Sequence, residues 1–234
     1  TVFMRTHLLL ISTLIGLLSH AQKNQRQAPW QQQANYSIDV TLNDRSNVLT
    51  GFETIEYFNN SPVALSEIYI HLYPNAYKNT GTAFAREKAE GGDKTFWKAD
   101  SSMRGFIDGL QFTVDNEPVT LKMSTVNIDN AKLILTNPVP SKGHVTIRTP
   151  FYVKIPYTFS RLGHTGHAYQ ISQWFPKIAV YDINGWNQFP YLDQGEFYSD
   201  FGNYQVQITV PQDYAVAATG EVGGGASLSV LNST

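Results

Sequence analysis

The chain has no cysteine among its 234 residues. That excludes disulfides, thiolate metal ligands, a cysteine nucleophile and a lipid-anchored cysteine, so an exported domain of this sequence must be stable without cross-links. Charge is sparse, at 15% of residues with a net charge of -2. It leaves no electrostatic footprint for nucleic acid and no polybasic patch for a membrane surface. The apolar run Leu8–Leu18 has 11 residues, whereas a membrane-spanning helix needs about 20, so no membrane span is expected.

Catalytic motifs are missing as well. There is no H-E-x-x-H, in which two His one helical turn apart hold zinc beside a Glu base, and no G-x-S-x-G nucleophile elbow. Of the six His, His71 falls within a strand pattern and reads as a half-buried, hydrogen-bonded residue. His164 and His167 lie three apart in a Gly-rich loop, two ligands without a third. Asp193, Glu196 and Asp200 form a group of acids near Trp174, Trp186 and Tyr191. Turn and surface acids are one reading. A carboxylate pair beside a sugar-stacking platform is the other. No residue of this chain is assigned a catalytic or metal-ligating role.

What is present begins with an export signal. Met4, Arg5 and His7 precede the apolar run, and Ser19-His20-Ala21 follows it. That layout predicts a signal peptide over residues 1–21 with cleavage after Ala21, and a secreted or periplasmic product. Residues 22–35 are Gln-rich and read as a flexible leader. From Tyr36 the pattern alternates. Tyr36, Ile38, Val40 and Leu42 take one side of a strand, and the cluster Asn43–Asn47 turns the chain. Val48–Phe58 returns, with Phe52, Thr54, Glu56 and Phe58 on one side and Ile55 and Tyr57 on the other. Further strands are expected at Leu65–Tyr73, Gly105–Val114, Pro118–Val126, Ala131–Leu135, His144–Thr149, Tyr204–Pro211, Ala215–Ala218 and Ser227–Leu231. Residues 76–104 read as an inserted loop with a short helix at Ala83–Glu90 stopped by Gly91-Gly92. Leu162–Gly166 reads as a loop, and Gly223–Gly225 as a hinge or hairpin tip. The fold class is all-β, mainly antiparallel, with a single domain over residues 36–234.

Tyr169-Gln170-Ile171-Ser172-Gln173-Trp174-Phe175-Pro176-Lys177, then Tyr181-Asp182, Gly185-Trp186, Pro190-Tyr191 and Gly195–Tyr198 make a specific series. With Ile70–Asn75, the strand Tyr204–Pro211 and Ala218-Thr219-Gly220, it resembles the N-terminal domain of the aminopeptidase N family of zinc metallopeptidases, in particular its secreted bacterial branch. The resemblance implies a saddle-like β domain followed by a catalytic domain that carries H-E-x-x-H, a downstream Glu ligand and zinc. Those elements are absent here, so the chain reads as truncated before the zinc domain, and by itself it is not expected to be active. Its partners would be the C-terminal catalytic domain and the amino terminus of a peptide substrate. In the family a Gln and an acidic or amide residue bind that amine, and the matching segment offers Gln170 and Gln173, with Ser172 at the usual second position. The alternative is a free-standing secreted module that binds glycan or peptide. A scaffold relative lacking the zinc domain is a third reading.

Overall fold

The computed structural model describes residues 30–221. The expected signal peptide, residues 22–29 of the leader, Gly223–Gly225 and the strand expected at Ser227–Leu231 lie outside the described residues. The strands are β1 Gln33–Asn43, β2 Val48–Phe58, β3 Leu65–His71, β4 Phe106–Asp108, β5 Thr113–Val114, β6 Glu117–Pro118, β7 Thr120–Met123, β8 Asn130–Val139, β9 His144–Lys154, β10 Leu162–Thr165, β11 Ala168–Ile171, β12 Lys177–Ile178, β13 Tyr181–Asp182, β14 Gly185–Trp186 and β15 Tyr204–Thr209. Two α-helical segments, α1 Ala83–Glu90 and α2 Thr95–Lys98, follow a 3-10 turn at Tyr73–Tyr77.

Two sheets share one core. The larger has the order β15-β1-β2-β9-β5-β6, with β4 also on β9, and the smaller has the order β12-β3-β8-β7. Every ladder is antiparallel except β1 with β15, which is parallel. Period-two alternation supplies the buried rows: Tyr36, Ile38, Val40 and Leu42 from β1 join Ile55 and Tyr57 from β2, and these meet Ile68, Ile70 and Leu133 from the smaller sheet. The β1–β2 turn closes because the Asn43 side chain accepts from the Arg45 and Ser46 amides, at 3.1 and 3.2 Å.

The insertion carries the expected helix. The Thr82 hydroxyl accepts from the Ala85 amide at 3.2 Å to cap α1, and Gly92 at φ +91° turns the chain out after it. Two of its rings turn inward, whereas Trp97 stays exposed. Phe84 and Phe96 are fully buried, and they pack with Tyr77 and Tyr191.

Several expected boundaries move. The strand predicted from Tyr36 begins at Gln33, and Gln32 before it is buried with its amide on Asn59, so the end of the Gln-rich stretch is ordered rather than flexible. Gly105–Val114 and Pro118–Val126 each break into shorter pieces. The strand expected to stop at Thr149 runs to Lys154, straight through Pro150. Pro150 lies opposite the gap between the β4 and β5 partners, where that edge of the ladder asks for no donor. Leu162–Thr165, expected as a loop, is the first strand of the β10–β11 ribbon. Ala215–Ala218 forms no strand; a short apolar run does not make one when, among the described residues, no ladder partner adjoins it.

The chain enters β15 through Gly202, where an added Cβ would collide with the Ala34 carbonyl oxygen. Gly202→Ala is expected to push the start of β15 off β1 at a cost of about 1–3 kcal/mol. A lowered thermal midpoint, with loss of amide protection confined to residues 203–209, is the expected readout.

Candidate functional site

Residues 162–186 form the short ribbons β10–β11 and β13–β14, with β12 between them added to the edge of β3. Gln170 stands on β11 opposite Gly163, with its side chain exposed. The Ser172 hydroxyl donates to the Arg161 carbonyl at 2.8 Å and ties the end of the ribbon down. Gln173 follows in the left-handed region, at φ 51°, a conformation uncommon for a residue with a side chain. Its amide oxygen accepts from the Lys177 ammonium at 3.3 Å. The two predicted residues therefore differ. Gln170 presents an unobstructed amide to solvent, whereas the acceptor of Gln173 already faces an amine.

Lys177 itself was not singled out by sequence. It pairs in register with His71, and burial pushes its ammonium below the ordinary lysine range. His71 is fully buried rather than half-buried, because both faces of its strand are covered. Its Nδ1 lies 2.6 Å from the Asn130 side-chain oxygen, and its ring stacks on Tyr73 at 4.5 Å. Burial lowers its pKa to about 4, against the opposing bond from Asn130. With its pKa so lowered the imidazole is neutral near pH 7, and a proton on Nδ1 suits it to donate to the Asn130 oxygen. The neighbouring Asp129 is buried, accepts from the Tyr191 amide at 2.6 Å, and is raised by burial to about 6. Asp129 and Asn130 thus hold residues 188–191 against the end of β8. The covering loop is what makes Asp129 and Asn130 buried anchors.

Above this floor lies a shallow cavity of about 160 Å³, lined by Tyr73, Phe189, Leu192, Glu196, Phe197 and Tyr198. Its rim is fastened from two sides. Lys88 on α1 bridges Asp93 at 2.9 Å and Asp193 at 3.3 Å, while Glu87 accepts from the Asp193 amide at 2.6 Å. The Arg161 guanidinium donates to the Asp193 and Gly195 carbonyls at 3.0 Å each and lies 5.0 Å over the Phe197 ring.

The acid group seen in sequence is dispersed in its roles. Asp193 is in the Lys88 bridge, Asp200 accepts from the Gln31 amide at 3.1 Å, and Glu196 is exposed at the cavity. Tyr191 is fully buried, and Trp174 and Trp186 pack against the core, so these three rings do not form an exposed stacking platform. Within residues 174–201 the exposed rings are instead Phe189, Tyr198 and Phe201. His164 stacks on Tyr169, and His167 bonds the Tyr214 hydroxyl at 3.0 Å. Among the described residues, no three His, Asp or Glu side chains gather as a metal set. Among the same residues, no helix is long and apolar enough to cross a membrane.

No family model matches the chain, and no curated protein matches it. Solved structures do align. A point mutant of the M1 zinc metallopeptidase from Deinococcus radiodurans, bound to a Tyr-Ser-Ala substrate, superposes with a TM-score of 0.44 at 14% identity, over 85% of this chain and 36% of that one. The M1 zinc metallopeptidase from the same organism gives 0.43 at 15% identity, over 82% and 34%. A two-domain M1 zinc metallopeptidase mutant bound to L-tryptophan gives 0.45 at 14% identity, over 82% and 35%. The chain thus spans about a third of the length of the structures it aligns with.

Proposed function

We propose that this chain is the front β domain of an exported zinc metallo-aminopeptidase, and that it walls one side of a peptide cleft and docks the catalytic domain that follows. The series from Tyr169 to Tyr198 supports the family reading. One observation carries the docking role. Among the described residues, the side built from this stretch and β15 lacks a covering layer, and rings and aliphatic side chains such as Phe189, Phe201, Val206 and Ile208 stand exposed. A sheet face or apolar patch of this kind marks an interaction surface.

In this reading Gln170 accepts a hydrogen bond from the substrate's ammonium group. Gln173 is held in place by Lys177 and borders the same amine site. An amide oxygen binds an ammonium without adding charge, so recognition would rest on direction rather than on ion pairing. Zinc would be held by H-E-x-x-H and a downstream Glu of the following domain, motifs this chain does not contain. The described residues do not form a metal set of their own, and no metal step is assigned to them.

The test is the natural gene product, assayed on amino-acid arylamides with and without a zinc chelator. Chelator-sensitive release of the arylamine is expected. Gln170→Ala should then raise KM roughly 10–100-fold with kcat little changed, as loss of a hydrogen bond to a charged group would. Absence of any release from the confirmed full-length product would sink this reading and leave a secreted glycan- or peptide-binding module.

A further inference from the structure

The basic residues of this chain are distributed one-sidedly. Every Lys, Arg and His lies at or before Lys177. Beyond it stand six acids, Asp182, Asp193, Glu196, Asp200, Asp213 and Glu221, and no base. Of these, Asp193 alone is bridged, by Lys88.

The same stretch carries uncovered apolar surface. β15 pairs with β1 in parallel, so Tyr204, Val206 and Ile208 share a face with Tyr36, Ile38 and Val40. On β1 those residues are 5%, 2% and 5% exposed, whereas their β15 partners are 47%, 40% and 39% exposed. Among the described residues, the layer that seals the inner face of the sheet stops one strand short. Among the described residues, β15 also has an open edge at the end of the sheet order, and its sequence YQVQIT has no Lys, Pro or inward charge to blunt it.

The strip is continuous with the 182–201 loop. The Tyr198 hydroxyl donates to Asp182 at 3.3 Å, and the Tyr198 ring lines the cavity with Phe189 and Leu192. Asp200 is tied to Gln31 and Asn203 to Asn35, so the loop feeds into β15 along the outer edge of β1. A second copy of this chain is a poor occupant, because two such faces would set acid against acid.

We propose that β15 and the 182–201 loop form a docking surface for a polypeptide that presents apolar side chains rimmed by lysine or arginine. The apolar residues supply the buried area, and Asp182, Glu196 and Asp200 steer and register the partner. This deepens the docking role proposed above and rests on it. Its test uses no peptidase activity, so either can fail alone.

The probe is an amphipathic peptide of leucine and lysine, with a leucine–glutamate peptide of equal length as control, titrated into the secreted chain. The lysine peptide is expected to bind about tenfold or more tighter, and to weaken about tenfold as salt rises from roughly 0.05 to 0.5 M. It should also protect amides within residues 183–209. The combined Asp182→Asn, Glu196→Gln and Asp200→Asn variant should erase the preference between the peptides. Val206→Ser with Ile208→Ser, at exposed positions that leave folding intact, should weaken both. Equal binding of the two peptides, protection mapped elsewhere, or self-association that buries residues 183–209 without peptide would each overturn the proposal.

Discussion

Phe84→Ala is expected to destabilise the chain by about 3–5 kcal/mol, the range for truncating a fully buried phenylalanine, and to open residues 78–104 to protease. The reason is where the ring sits. Phe84 is 0% exposed, and its ring lies 4.7 Å from Tyr77, 5.1 Å from Phe96 and 5.5 Å from Tyr191. The Tyr77 hydroxyl donates to that of Tyr191 at 2.7 Å, so the cluster joins the turn after β3, the insertion and the loop that floors the cavity. Removing one ring leaves a void that three rigid neighbours cannot fill, and aromatic pairing is lost with it. An eight-residue helix has no independent stability once it is detached. Urea unfolding measures the loss and limited proteolysis locates it. A change below about 1 kcal/mol, within the ordinary run of point substitutions, with residues 78–104 still uncut, would show that the insertion is held by something other than this cluster.

Glu53→Gln is expected to stabilise the chain above pH 7 by on the order of 2–4 kcal/mol, the scale of the penalty for an unpaired buried ion. Glu53 is fully buried on the inward face of β2, and neither carboxyl oxygen has a partner. Its ladder neighbours are Ile38 and Thr149. The first has nothing to donate, and the second spends its hydroxyl on the Pro150 carbonyl. Burial therefore pushes the carboxyl well above the ordinary glutamate range. A carboxyl whose pKa is raised by folding contributes fully at pH values below its unfolded pKa. That contribution is lost as pH rises, because the unfolded chain gives up its proton first.

Two other buried groups titrate lower and oppose one another. Asp129, raised to about 6, makes stability fall with rising pH between the ordinary aspartate range and 6. His71, lowered to about 4 from 6.5, makes stability rise with pH over 4 to 6.5. At 1.36 kcal/mol per unit each effect is about 3 kcal/mol, so they largely cancel. Above pH 6.5 the remaining downward slope belongs to Glu53, and Glu53→Gln should flatten it. Urea midpoints from pH 6.5 to 9 decide the matter. Parallel curves for the two proteins would mean that Glu53 ionises at no cost, through water or a partner that reaches it.

Much of the fold was legible along the chain because its causes are local. The turn at Asn43–Asn47 closes through its own side chain, the helix at Ala83–Glu90 has a Thr before it and Gly after it, and alternation sorts Ile55 and Tyr57 from Phe52 and Glu56. By the same period Glu53 already belonged to the buried row. Other features have causes distant in sequence. Gln170 and Gln173 sit three residues apart in one motif, yet one side chain is open to solvent and the other meets Lys177 across a left-handed turn. Ala215–Ala218 is a short apolar run of the kind strands contain, and pairs with none among the described residues.

By itself, then, the sequence determined an all-β chain with a capped helical insertion and a motif-bearing stretch toward its end, since periodicity, turn chemistry and caps act over a few residues. Only the tertiary structure decided that Tyr204–Thr209 runs parallel to Gln33–Asn43, that His71 and Asp129 are sealed by the 188–191 loop far downstream of both, and that, among the described residues, β15 is left without a cover. Those outcomes depend on which surface arrives opposite a given residue, and a ladder or a packed layer joins positions whose separation along the chain carries no signal of the meeting.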